Sequence, residues 1–443
     1  MRTLHTQLLT SSVAVTIACL AIFVDKLCFA GAVTKPPEVR SSSPHLELLY
    51  QRFPEDGQQW ELCLLDFPSN KTTLLLSSKE TKELGRHTGS EVSFSPDGDM
   101  ILFEATRRGS AADSRELHQL SEELLDVWAL DRKTKQVKRL THDGQGYFYV
   151  EWSPAGRYAC AVGKDHWLTD YDLPPISEPG YRTDSYVLDS VTGRRWFVQE
   201  DTWTPRWTQD GKALLIKTDD YRLFLWDTRT HKKRLIARNL QSAVSAPDGS
   251  QVVYCQTGGT WASYDILTKK TRRLAKGGLT GYFLSFPPRG KLIAYMAEST
   301  DTLMLFDVLT GQSRALVKGY GTFYVWSPDG RTLAITNPTR HYGDDPHTTR
   351  LMIADAATGV IRDLHTFQDD ASVLAWTGDG KSLIVLNRPM KRSRSNDEDH
   401  VERLPEELHL VSVSGGVTKR LITLPVTSDY PDVFRHLRLA GKS

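Results

Sequence analysis

The sequence predicts an all-β fold, a single β-propeller built from four-stranded blades. Three observations predict it. The first is a turn sentence that returns seven times, as in "VSFSPDGDMILFEA" from Val92, "VEWSPAGRYACAVG" from Val150 and "YVWSPDGRTLAITN" from Tyr324. The second is an outer punctuation mark, an Asp followed three residues later by Ser or Thr. It occurs at Asp66/Ser69, Asp131/Thr134, Asp189/Thr192, Asp227/Thr230, Asp265/Thr268, Asp307/Thr310 and Asp355/Thr358, and an eighth unit keeps only the glycine turn after Ser412. The third is the filling between these marks, short β-branched and aromatic runs bounded by Gly, Pro, Asp and Ser, which read as strands. Four such strands recurring about every 40–50 residues is the period of a propeller blade.

Each mark has a physical reason. In Ser-Pro-Asp-Gly, proline presets φ at the first corner, the Asp side chain bonds the local backbone, and Gly takes the positive φ. The outer Asp residues are read the same way, as turn formers with no ligand role. Four residues before each inner turn glycine stand Phe94, Trp152, Trp207, Ser245, Phe286, Trp326 and Trp376. One large aromatic per blade suits packing against the next blade and makes these tryptophans structural.

Eight outer turns against seven inner ones leave the first unit short of an inner strand. Its Pro54-Glu55-Asp56-Gly57 falls between the second and third strands. The segment "SDYPDVFRHLRLAG", from Ser428, can supply the missing strand, so both termini share one blade and no sheet edge stays open there. Eight blades are therefore expected, with seven as the alternative.

Before the repeats, Arg2 precedes an uncharged, mostly apolar stretch from Leu8 to Val24, and Cys28-Phe29-Ala30 offers small residues around a cleavage point. Residues 1–30 read as a secretory signal peptide, or else an N-terminal anchor. Residues 31–44 are a short linker and 45–440 the propeller. The expected location is exported, periplasmic or extracellular, alternatively membrane-anchored by the N-terminus; the mature form needs no membrane span. Cleavage leaves Cys63, Cys160 and Cys255, each in an apolar run, which suits small buried hydrophobes better than a disulfide framework. With 55 basic against 54 acidic residues, net charge +1, the totals do not suggest a nucleic-acid binder.

The Trp326-Ser327-Pro328-Asp329-Gly330 turn, the apolar strand after it and the Asp-x-x-Thr-Gly outer turn resemble the TolB-type, WD-repeat-like propeller family, over roughly residues 45 to 440. The resemblance implies the fold. TolB proteins carry an α/β domain before a six-bladed propeller, and only Gly31 to about Pro44 lies between the cleavage point and the first strand, so a TolB role is not carried over. Prolyl oligopeptidase-like enzymes add a hydrolase domain to a propeller, for which there is no room and no G-x-S-x-G elbow.

Function is expected where the loops are long. Connections between second and third strands share a face with the blade-to-blade crossovers, and four of them are long: 105–126, 163–183, 337–350 and 389–408. They belong to blades two, three, seven and eight, one arc around blade one, and long loops in a compact domain are functional or disordered. In the first, Asp113 with Glu116 resembles a capping box before a Leu117, Leu120, Leu124 stripe, a short helix. The second gathers Asp165, His166, Asp170 and Asp172; the third offers Arg340, His341, Tyr342, Asp344, Asp345 and His347. These ten residues are the candidate binding residues. Imidazole and carboxylate also suit divalent metals or acid/base chemistry, but neither spacing is a metal signature, and a solvated loop has the same composition. No catalytic residue, metal ligand or cofactor is assigned. The leading expectation is a non-enzymatic module that binds a protein or cell-envelope component; the alternative is a funnel hydrolase or lyase using His166, His341 or His347.

Overall fold

The computed structural model describes residues 45–52, 59–67, 69, 71–110, 125–142, 146–164, 183–202, 205–319, 322–339, 348–395, 398–424 and 434–440. Among them there is no helix, and eight four-stranded antiparallel sheets form the blades. Blade seven shows the plan, with Phe323–Trp326 innermost, then Thr332–Pro338, Thr348–Asp355 and Ile361–Gln368 outermost. Of its two middle strands, Thr332–Pro338 is buried along most of its length, as a strand packed on both faces must be, and Thr348–Asp355 along half.

Blade one is closed by both ends of the chain, as the turn count predicts. Phe434–Ala440 pairs antiparallel with His45–Arg52, which pairs with Glu61–Phe67 and so brings Arg52 opposite Glu61. The Pro54–Gly57 segment therefore joins the second and third strands. Eight apolar clusters, each shared by two neighbouring blades, complete the ring among the described residues. The decisive one sets Leu48, Tyr50 and Leu65 of blade one against Leu374, Ile384, Leu386 and Leu408 of blade eight. Burying each such side chain contributes about 2 kcal/mol, so the core is a ring of sheet-to-sheet seams without one central mass.

The aromatic at each inner strand packs backward, which corrects the expectation that it faces the next blade. The indole Nε1 of Trp376 donates to the Val325 carbonyl at 3.1 Å, that of Trp326 to Ser285 at 3.2 Å and that of Trp207 to Glu151 at 3.3 Å. Each acceptor lies one position before the corresponding inner-strand aromatic of the preceding blade. Handedness of the twist turns the end of an inner strand toward the blade already made. Where the aromatic is missing, the Ser245 hydroxyl accepts the Gln209 N–H of the preceding blade at 3.2 Å.

The turn chemistry is as read. In blade seven, Ser327 Oγ donates to Asp329 Oδ1 at 2.6 Å, and that oxygen also accepts the Arg331 N–H at 3.0 Å. Gly330 has φ +72°, and a Cβ there would lie 2.6 Å from the Arg289 carbonyl oxygen of blade six. The outer Asp355 accepts the N–H groups of Ala357 and Thr358 at 3.0 and 2.7 Å and the Thr358 hydroxyl at 2.8 Å. Cys63, Cys160 and Cys255 are buried and form no disulfide with one another. Burial pushes the Cys255 thiol up to about 11 and raises Cys63 as well, so both stay protonated at neutral pH.

A candidate binding face

Antiparallel order puts the inner and outer turns on one face of the ring and the second-to-third-strand connections, with the crossovers, on the other. The feet of all four long insertions lie on that second face. They spring from blade two between Met100–Arg107 and Asp126–Asp131, blade three between Tyr158–Lys164 and Thr183–Asp189, blade seven between Thr332–Pro338 and Thr348–Asp355, and blade eight between Ser382–Arg388 and Glu406–Ser412. Because blade eight seals onto blade one, blades seven, eight, one, two and three are consecutive. In blades four, five and six the same connections are short: 218–222, 257–259 and 298–301.

The fourth long segment is not an irregular loop. It carries a two-stranded antiparallel ribbon, Met390–Ser395 against Glu398–Arg403, pairing Lys391 with Glu402 and Arg394 with Asp399. No strand of the ring joins it. At its base the Leu404 N–H meets the Pro389 carbonyl at 3.0 Å, the Met390 N–H meets Asp369 Oδ2 at 2.9 Å, and Arg388 Nε meets Glu406 at 3.1 Å.

The other feet are pinned just as firmly. In blade two, Asp126 holds Arg139 at 2.7 Å and the Thr141 hydroxyl at 3.0 Å. In blade three, the Thr202 N–H meets the Thr183 carbonyl at 2.8 Å, and the Ser185 and Thr202 hydroxyls meet at 2.7 Å. In blade seven, the Thr339 N–H meets the Thr348 carbonyl at 2.8 Å, and Thr349 Oγ1 donates to the Asp369 carbonyl at 2.7 Å.

Beneath the feet runs a belt of buried polar side chains that the sequence reading missed: Gln51, Glu104, Asp184, Asn337, Asp370 and Asn387. Gln51 Nε2 donates to the Gly89 carbonyl at 3.1 Å, and Asn337 Nδ2 to the Lys318 carbonyl at 3.3 Å. The two amides satisfy carbonyls of the irregular backbone near the crossovers, which lack ladder partners. The available signal was an acid or amide inside an otherwise apolar strand, as Glu104 in "MILFEATR" and Asp184 in "TDSYVLD". On the low side, Lys217 Nζ donates to the Gln241 carbonyl at 3.0 Å. Burial pulls its ammonium down, against Asp219 and Glu298.

The ten candidate residues, Asp165, His166, Asp170, Asp172, Arg340, His341, Tyr342, Asp344, Asp345 and His347, lie outside the described residues, as does the helix expected at 113–124. Their anchors are described. The blade-three and blade-seven insertions start four blades apart, on opposite sides of an eight-bladed ring. Among the described residues no group of three His, Cys, Asp or Glu side chains could hold a metal. No described helix is long and apolar enough to cross a membrane.

No family profile and no curated protein matches the chain. Among solved structures it is similar to an oligogalacturonate lyase in complex with manganese, at 14% identity and a TM-score of 0.43, over 66% of this chain and 87% of that one. An oligogalacturonate lyase from Vibrio parahaemolyticus gives 12% identity and 0.43, over 89% of this chain and 90% of that one. TolB from Acinetobacter baumannii gives 16% identity and 0.34, over 71% of this chain and 77% of that one. At such identities the likeness concerns the fold alone, which the eight four-stranded sheets already establish.

Proposed function

We propose that this chain is an exported, non-enzymatic propeller that binds a protein or cell-envelope component through the insertions of blades seven, eight, two and three. One observation supports the reading above others: the insertions are anchored on a single face and within one run of five blades, flanking blade one, and blades four to six keep that face bare. Random tolerance of insertions does not require such clustering, whereas an extended partner does. The rival reading is a funnel hydrolase or lyase that uses His166, His341 or His347 of the same insertions.

A photocrosslinking amino acid placed in turn at positions in the four insertions, and at Tyr221 and Asp301 on the low side, tests the reading in native envelope extract. The expected result is one common adduct from the insertions and none from Tyr221 or Asp301. Adducts of equal yield from both sides contradict it. Metal-dependent turnover of a substrate, lost in His341→Ala with the fold intact, would replace it with the enzymatic reading.

A further inference from the structure

A net charge of +1 conceals a strong segregation of charge. The eight outermost strands together hold fourteen Lys and Arg residues and a single acid, Asp363. Part of this has a structural reason, since cations on an exposed sheet edge prevent edge-to-edge pairing. Some also tie neighbouring blades, as when Arg362 donates to the Val413 carbonyl at 2.6 Å and Lys138 to the Val191 carbonyl at 3.3 Å.

Blades four and five go further. Residues 228–247 contain five Lys and Arg, residues 266–297 contain seven, and neither stretch contains an acid. Their outer strands, Lys232–Ala237 and Thr271–Ala275, belong to adjacent blades joined by one apolar cluster. Lys232, Arg234, Lys269, Lys270, Arg272 and Arg273 are exposed and have no side-chain hydrogen bond or ion pair among the described residues. Elsewhere strand arginines meet acids, as Arg139 meets Asp126 at 2.7 Å and Arg350 meets Asp363 at 2.8 Å. The acids at hand are committed to their own turns: Asp227 accepts the Thr230 N–H at 2.7 Å and Asp265 the Thr268 N–H at 2.7 Å. Among these cations stand exposed aliphatics, Leu267 at 88% and Leu235 at 36%. Neither outer strand carries an aromatic on which a nucleic-acid base could stack.

We propose that the outer wall of blades four and five docks on an anionic lipid surface. Unpaired cations supply attraction to headgroup phosphates within a Debye length, and Leu267 beside Lys269 and Lys270 supplies a shallow apolar contact. This wall lies on the side of the ring away from the long insertions, so a membrane-docked propeller keeps its insertion-bearing arc free. The inference does not rest on the binding role proposed for that arc.

Flotation of the full chain with vesicles of phosphatidylcholine and phosphatidylglycerol (7:3), and with phosphatidylcholine alone, tests it. Two variants are compared with the parent: Lys232→Gln/Arg234→Gln/Arg272→Gln/Arg273→Gln, and a control with equal charge loss, Lys71→Gln/Lys318→Gln/Arg331→Gln/Lys419→Gln. All three proteins share the N-terminal apolar stretch, whose contribution is read on the neutral vesicles, and matched thermal melts establish the fold. The parent and control are expected to partition into anionic vesicles, and the sector variant to lose tenfold or more. Equal loss in both variants, or equal binding of the parent to neutral and anionic vesicles, overturns the proposal. So does retention on heparin through the same four cations without vesicle binding, which would assign the wall to an acidic polymer.

Discussion

Trp152 and Trp376 occupy equivalent places at the ends of inner strands and are each 5% exposed, but they are bonded differently. Trp376 Nε1 donates to the preceding blade at 3.1 Å, whereas the Trp152 Nε1 has no partner among the described residues. Substitution by Phe keeps most of the packing in both. Trp376→Phe also removes the bond from Nε1 to the Val325 carbonyl, so it is expected to cost about 1 kcal/mol more than Trp152→Phe in urea melts. Equal losses would show that the indole hydrogen bonds do not hold the seams. At Asp189, burial pushes the carboxyl up, but the Arg157 guanidinium at 2.8 Å and the N–H groups of Thr192 and Val191 outweigh it, and the net shift is down. A carboxyl lowered on folding contributes stability above its unfolded pKa of about 4 and loses it as pH falls through the folded value. Asp189→Asn is therefore expected to destabilise at pH 7, and its difference from the parent to shrink between pH 5 and pH 2. A difference constant over that range would remove Asp189 from the acid lability of the fold.

At the scale of turns and strands, the repeated sentence exposes its own geometry. Gly330 and Gly193 have almost the same φ, +72° and +73°, but only Gly330 faces a neighbouring blade; nothing lies within 4 Å of a Cβ at Gly193. Alanine at either site costs about 1–2 kcal/mol for its backbone. Gly330→Ala is expected to cost more, because the blade-six turn must move; equal thermal shifts would mean that the turns of adjacent blades do not support one another. This is also where the sequence was most legible. The turns, the outer Asp residues and the strand order follow from local chemistry repeated until it is unambiguous. The direction of the indoles was not legible, because it depends on the twist between sheets. Nor was the ribbon in blade eight: "MKRSRS" and "EDHVER" lack apolar alternation, and their register sets opposite charges across from each other. The buried amides Gln51 and Asn337 escaped for a related reason, since their partners are carbonyls far away in sequence.

For the whole molecule, closure decides both stability and the layout of the binding face. The strand Phe434–Ala440 is the inner edge of blade one, and without it His45–Arg52 would present an unpaired edge to the channel. Truncation after residue 425 is expected to lower the melting temperature by 10 °C or more and to promote association through that edge. An unchanged, monomeric melt would show that the ring does not need its terminal strand. Closure also makes blades eight and one neighbours, and this turns four separate insertions into one arc. The candidate residues themselves gave the least secure reading, because polar loops of His and Asp have the same composition whether they bind or are merely solvated. The most direct measurement is a crosslinking pulldown from native envelope extract, comparing the intact protein with one whose four insertions are cut back to short turns at their feet. The account predicts a defined protein or envelope component recovered with the intact chain and lost from the trimmed one, at equal thermal stability. Equal recovery from both would contradict it.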